Sequence, residues 1–138
     1  MSDPRNAREL LRVQGEARAQ AEVRMADARR RVQQCEDVRA KLLARETESH
    51  SAQRALTEAP GADAATFARL RTIAAAHDDA LSEERERAER ALDEARDHAK
   101  ACEGELRIAR GKERALARVA ERRVRAFTSA AERRTEEG

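Results

Sequence analysis

The chain has 138 residues, of which 41% are charged and 1% aromatic, with no Trp or Tyr, two Pro and a net charge of only +2. That length allows one domain at most, and two phenylalanines cannot fill the thick core of a globular fold. So small a net charge also excludes gross polyelectrolyte attraction to nucleic acid. Alanine, arginine and glutamate dominate, as in long helices and coiled coils. Disorder is the competing reading of such high charge, but Ala and Arg are strong helix formers and the apolar residues recur with a helical period.

Taken in chain order, Asp3-Pro4 predicts a helix start, with Asp3 as the cap and Pro4 at the first helical position. The first helix is expected over residues 4–58. Its apolar stripe reads Leu10, Val13, Ala17, Ala21, Met25, Ala28, Val32, Cys35, Val38, Leu42, Ser49, Ala52 and Leu56, in threes and fours with a vacancy at Arg45. Ala59-Pro60-Gly61 breaks the pattern, because Pro cannot continue a helix and Gly61 tolerates positive φ. A turn is expected over 59–63, with Asp63 capping a second helix over 64–135. There Phe67, Ala74, Leu81, Ala88, Ala95, Cys102, Ala109 and Leu116 lie seven apart. A companion series, Leu70, His77, Glu84, Ala91, His98, Glu105, Lys112 and Val119, is mixed in character. Glu83–Arg87, Glu86–Arg90, Glu103–Arg107 and Glu121–Arg125 are i,i+4 pairs in the favourable order, each adding a few tenths of a kcal/mol.

A short break between two long helices predicts an antiparallel pair. The expected fold is all-α: residues 1–138 form a single long two-helix antiparallel coiled-coil hairpin with an overhanging C-terminal helix. Folding about Pro60-Gly61 places Arg5 opposite Leu116. ARVAERRVRAFTSAAERR, from Ala117 onward, then overhangs, with Val119, Val124 and Phe127 uncovered. Residues 1–45 carry 11 basic and 7 acidic side chains, residues 46–99 carry 7 and 13, and residues 100–138 carry 11 and 7. A hairpin therefore has a basic end at its termini and an acidic end at its turn. Because the seam is rich in Ala, which contributes far less on burial than Leu, the hairpin should be only marginally stable.

No apolar run reaches the ~18–20 residues that span a bilayer, and MSDPRNARELLRV lacks the apolar stretch of a signal peptide. A cytoplasmic chain with reduced thiols is expected. Cys35 and Cys102 read as small buried apolar residues with no disulfide between them. His98 and Cys102 are i,i+4, but no second pair faces them to complete a metal site. GELRIARGK, from Gly104 to Lys112, has the wrong spacing for a phosphate loop and no Ser or Thr after its lysine. Gly15, Gly104 and Gly111 mark local softness, or places where a partner approaches the backbone. The clusters Arg29-Arg30-Arg31, Arg122-Arg123-Arg125 and Arg133-Arg134 are mixed with acidic residues and lack aromatics for base stacking. They read as solvated faces or as sites for an acidic protein. No catalytic constellation can be enclosed from water on two helices, so neither enzyme activity nor a cofactor is expected.

A shorter first helix, a Pro/Gly turn near residue 60 and a longer basic second helix resemble the FliJ/YscO family, the central stalk proteins of flagellar and virulence type III secretion systems. The resemblance covers nearly the whole chain. It rests on architecture and charge layout, with FARLRTIAAAHDDAL, residues 67–81, as its most motif-like part. It implies a non-enzymatic monomer, cytoplasmic and peripheral to the inner-membrane export apparatus, of the injectisome rather than the flagellar branch. Its paired termini would insert into the hexameric secretion ATPase, much as the γ subunit does in rotary ATPases, and its tip would engage the export gate. Secretion chaperones are further implied partners; nucleic acid and membrane insertion are not. The implied ATPase-binding residues are Arg5, Arg8, Arg12, Arg118, Arg122, Arg123, Arg125 and Phe127. The implied gate-binding residues are Phe67, Leu70, Ala74, His77 and Leu81. Two alternatives stay open: a homodimeric coiled-coil scaffold or spacer, and a hairpin that holds secreted substrates.

Overall fold

The computed structural model describes residues 4–58, 61 and 63–138. Two helices account for nearly all of them: α1, Pro4–Glu58, and α2, Ala64–Glu137. They pack against each other as an antiparallel hairpin, and no strand occurs among the described residues. The second helix opens where the Asp63 carbonyl accepts a hydrogen bond from the Phe67 amide at 2.9 Å, which puts Asp63 at the capping position. Gly61 has φ 94°, a left-handed conformation that side-chain-bearing residues rarely adopt. The expected Asp3 cap and the Ala59-Pro60 part of the break lie outside the described residues.

The chain divides into two compact units. One consists of Met1–Ala28 with His98–Gly138. Its core is Ala21, Met25 and Ala28 from α1 against Cys102, Leu106 and Ala109 from α2, with Ala99 packed beside them. Ala7 and Ala120 are buried as well. The other unit is Arg29–Asp97. There Cys35 packs on Leu92 and Ala95, with Val32 and Ala91 at the margin, and Leu42, Leu81 and Ala88 are also buried.

Both helices correct the expected seam. On α1 the positions that turn inward are Ala7, Leu11, Gln14, Arg18, Ala21, Met25, Ala28, Val32, Cys35, Arg39, Leu42, Glu46, Ser49 and Gln53. They alternate strictly in threes and fours, the spacing that holds a seam in place. The expected stripe Met25, Ala21, Ala17, Val13 takes three steps of four, and such a run drifts around the helix away from its partner. Leu10 and Val13 are accordingly more than half exposed, as is Val38 to nearly the same degree. On α2 the sevenfold series from Phe67 to Leu116 is inward throughout. Its companion, however, lies one residue further on, at Asp78, Arg85, Leu92, Ala99, Leu106, Glu113 and Ala120. This shift moves His77, Glu84, His98, Glu105, Lys112 and Val119 off the seam, all of them exposed.

Register is corrected too. Arg18 pairs with Glu113, and Glu46 pairs with Arg85, about ten residues, nearly one and a half heptads, further along α2 than folding at the midpoint of the turn implies. Seam side chains set register, and the first turns of α2 simply run past the end of α1. In consequence the overhang begins later than Ala117. Ala120 is buried, Val124 is half-buried, and only beyond it is the helix almost wholly exposed.

Candidate docking surfaces

In the Arg29–Asp97 unit, the end of α1 and the start of α2 form a shallow groove whose lining includes Leu56, Phe67, Leu70 and Ala74, with Gln53 and Asp78 on its polar side. Phe67 is half-buried, and the Arg71 guanidinium lies over its ring at 5.6 Å from the centroid. Leu70 and Ala74 are half-buried in the same groove. His77 is exposed and does not line it. Leu81 is only 5% exposed and belongs to the seam, so it is unavailable to a partner while the helices stay paired. The structure therefore brings together three of the five residues expected on this face.

Polar seam layers next to this groove were missed because the companion series was read one residue early. Asp78 accepts hydrogen bonds from Gln53 Nε2 at 2.7 Å and from Ser49 Oγ at 3.1 Å. Arg85 Nη1 donates to Glu46 Oε2 at 3.1 Å, while its buried Nε finds no partner among the described residues. The one available signal is that Asp78 and Arg85 continue the series Leu92, Ala99, Leu106 backward by sevens.

The Gln53 hydrogen bond, followed by that from Ser49 and the nearby His50 and His77, holds the Asp78 carboxyl below its ordinary value of 3.8 against the opposing effect of burial. A carboxyl depressed in the folded state contributes stability above its unfolded value and loses it as pH falls through its folded value. Thermal melts of the wild type should therefore fall more steeply below about pH 4 than those of Asp78→Asn. Parallel pH profiles for the two proteins would remove the assignment.

In the other unit, Arg5, Arg8, Arg12, Arg118, Arg122, Arg123, Arg125 and Phe127 are all exposed. They are not equivalent. Arg12 is engaged by Glu9 at 3.2 Å and Glu16 at 2.9 Å, and Arg125 by Glu121 at 2.7 Å. Arg8, Arg118, Arg122 and Arg123 make no ion pair among the described residues. Phe127 is 55% exposed, one turn beyond Arg123.

Inside the seam of this unit sequence reasoning missed a charged hub at Arg18. Its guanidinium reaches Glu22 on its own helix and Glu113 on the other, and these contacts push it above its ordinary value. Glu22 in turn is held below its ordinary value, chiefly by its hydrogen bond from Arg18. Gln14 Nε2 donates to the Ala109 carbonyl at 3.4 Å. These contacts satisfy two polar side chains that the heptad forces inward. Of the four expected i,i+4 pairs, Glu83–Arg87, Glu103–Arg107 and Glu121–Arg125 form, while Glu86 and Arg90 do not close to ion-pair distance.

Both cysteines are free of a disulfide and buried, and Cys102 Sγ is within hydrogen-bonding distance of His98 Nε2 at 3.6 Å. No group of three or more metal-ligating side chains occurs among the described residues. A Cβ would meet nothing closer than 3.7 Å at Gly15 and nothing within 4 Å at Gly104 or Gly111, so helix packing does not require glycine there. Among the described residues no helix is long and apolar enough to cross a membrane. Comparison with protein-family models, curated proteins and solved structures finds no significant match.

Proposed function

We propose that the chain is a non-enzymatic coupling protein of a type III secretion export apparatus. In this reading the arginine-bearing segments around Ala7 and Ala120 bind the secretion ATPase hexamer, and the groove around Phe67 binds the export gate. One observation carries the reading: Arg8, Arg118, Arg122 and Arg123 are exposed without an ion pair among the described residues, in the same unit as an exposed Phe127. Guanidinium groups without an internal partner have no existing ion pair to break on meeting carboxylates, and their planar fork binds them in bidentate fashion. An aromatic ring close by adds the buried anchor that protein interfaces favour. The hairpin fold itself supports a binding role, since two helices leave most of their side chains exposed to a partner.

The test is ATP hydrolysis by the secretion ATPase encoded in the same genome, with and without the purified chain. Stimulation by the wild type and its loss in an Arg118→Glu, Arg122→Glu, Arg123→Glu triple variant is the expected result. Equal stimulation by the variant would remove the proposed site. No stimulation by the wild type, together with a stable dimer in sedimentation, would favour a homodimeric spacer.

A further inference from the structure

The unit formed by Met1–Ala28 and His98–Gly138 has two unlike sides. In an antiparallel pair, residues that directly precede seam positions on one helix share a side with their counterparts on the other. The Arg24–Glu105 pair at 3.7 Å belongs to this side, and the Glu22–Arg110 pair at 3.5 Å to the opposite one. On the opposite side several charges are engaged, through Glu22 with Arg18 and Arg110 and through Glu121 with Arg125, while Arg8 and Arg114 make no ion pair among the described residues.

The first side is different. From the Arg24–Glu105 pair toward Ala7 it presents Leu10, Val13 and Ala17 on α1 and Ile108, Ala115 and Val119 on α2. Leu10 is 53%, Val13 51% and Ile108 61% exposed, so large apolar side chains are concentrated there. The seam meanwhile takes in Gln14 and Arg18 at this level. The chain thus packs polar residues inward while a more apolar stripe of the same helix faces out. Burying that stripe against the partner helix would favour folding, so its outward placement calls for a separate occupant.

We propose that this side docks a third helix, an acidic amphipathic helix of another protein. Apolar residues at i, i+3 and i+7 on α1 and their counterparts on α2 border the furrow that any two packed helices leave between them, the kind of surface on which a third helix can lie. Charge selects the occupant. Lys112 and Arg122 stand on the α2 edge of the furrow without an ion pair among the described residues, and no carboxylate lies on this side of α1 between Asn6 and Gln20. A second copy docked through the same side would bring the same two cations and nothing on that side of α1 to neutralise them. A helix with glutamates flanking its apolar stripe would neutralise both. The inference stands independently of the secretion reading, because it needs only the sidedness of this unit.

The probe is a fluorescein-labelled synthetic helix with leucines at heptad spacing flanked by glutamates, compared with one flanked by lysines. Anisotropy titration with the full chain is expected to show the glutamate helix binding at least about tenfold more tightly. A Leu10→Ser, Ile108→Asp variant should lose at least about tenfold in affinity while keeping its helical circular dichroism. Ala19→Asp, on the opposite side, should bind as the wild type does. Equal binding of the two peptides, or equal loss in both variants, overturns the proposal. So does a doubled mass in sedimentation that the Leu10→Ser, Ile108→Asp variant abolishes, which would make a second copy the occupant. Co-sedimentation with phosphatidylserine vesicles in the absence of peptide binding would assign the face to lipid instead.

Discussion

Replacing Leu92 with alanine is expected to destabilise the Arg29–Asp97 unit by about 2–5 kcal/mol. Leu92 is 1% exposed and is the largest fully buried side chain. It sits against Cys35 and Ala95, small residues that cannot swing into the space it would vacate. Alanine recovers a little through its higher helix propensity, a few tenths of a kcal/mol at most. Two helices can also close toward one another more freely than a globular core can, which places the effect at the lower end of the range. Even that end is large where the neighbouring seam residues are only Ala, Cys and Val. Circular dichroism melts compared with Ile73→Ala, a residue 67% exposed, check it. The control should shift by no more than about 0.5 kcal/mol, and equal shifts would mean that Leu92 is not the anchor of this seam.

Leu106→Asp should have the larger effect, on the other unit. Leu106 is 6% exposed among Ala21, Met25, Ala28, Cys102 and Ala109, a cluster with no charged member. A carboxylate there must be desolvated without a partner or the helices must part, and either outcome costs several kcal/mol. The nearby Arg24 offers no rescue, since it faces Glu105 on the flank of the seam. Hydrogen exchange should then lose protection along residues 4–28 and 98–138. Ile108→Asp, two residues away but 61% exposed, should retain the wild-type pattern. If both variants exchange alike, the seam has been assigned to the wrong face of α2.

These two substitutions bear on how much of the molecule can be read without coordinates. The helices themselves were legible, because Ala, Arg, Glu and Leu favour helix locally and only the 59–63 break interrupts them. The sevenfold series from Phe67 to Leu116 was legible for the same reason: a repeat of seven keeps one face whatever lies opposite. Leu106 and Leu92 were assigned to neither series, although the run Leu92, Ala99, Leu106 was visible. Starting the count at Phe67 and Leu70 chose a step of three where the helix uses four. From one helix alone both neighbours of a seam position look equally placed.

The docking residues divide in the same way. That Arg8, Arg118, Arg122 and Arg123 are solvent-facing agrees with their charge, although charge did not keep Arg18, Arg39 or Arg85 from turning inward. That Arg12 and Arg125 are engaged by glutamates is half legible, since Glu121–Arg125 has the favourable spacing and Arg12 lies between two glutamates. The exposure of Leu10 and Val13 was not legible, because an apolar residue on an amphipathic helix is ordinarily read as inward.

Local propensity and heptad spacing, both properties of a single strand of residues, were enough to specify two long helices, their break near residue 60 and their antiparallel pairing. Which of two adjacent stripes each helix buries, and in what register, was decided only by the partner helix. Arg18 turns inward because Glu113 is there to meet it, and Leu10 turns outward because the seam that continues from Ala21 passes through Leu11.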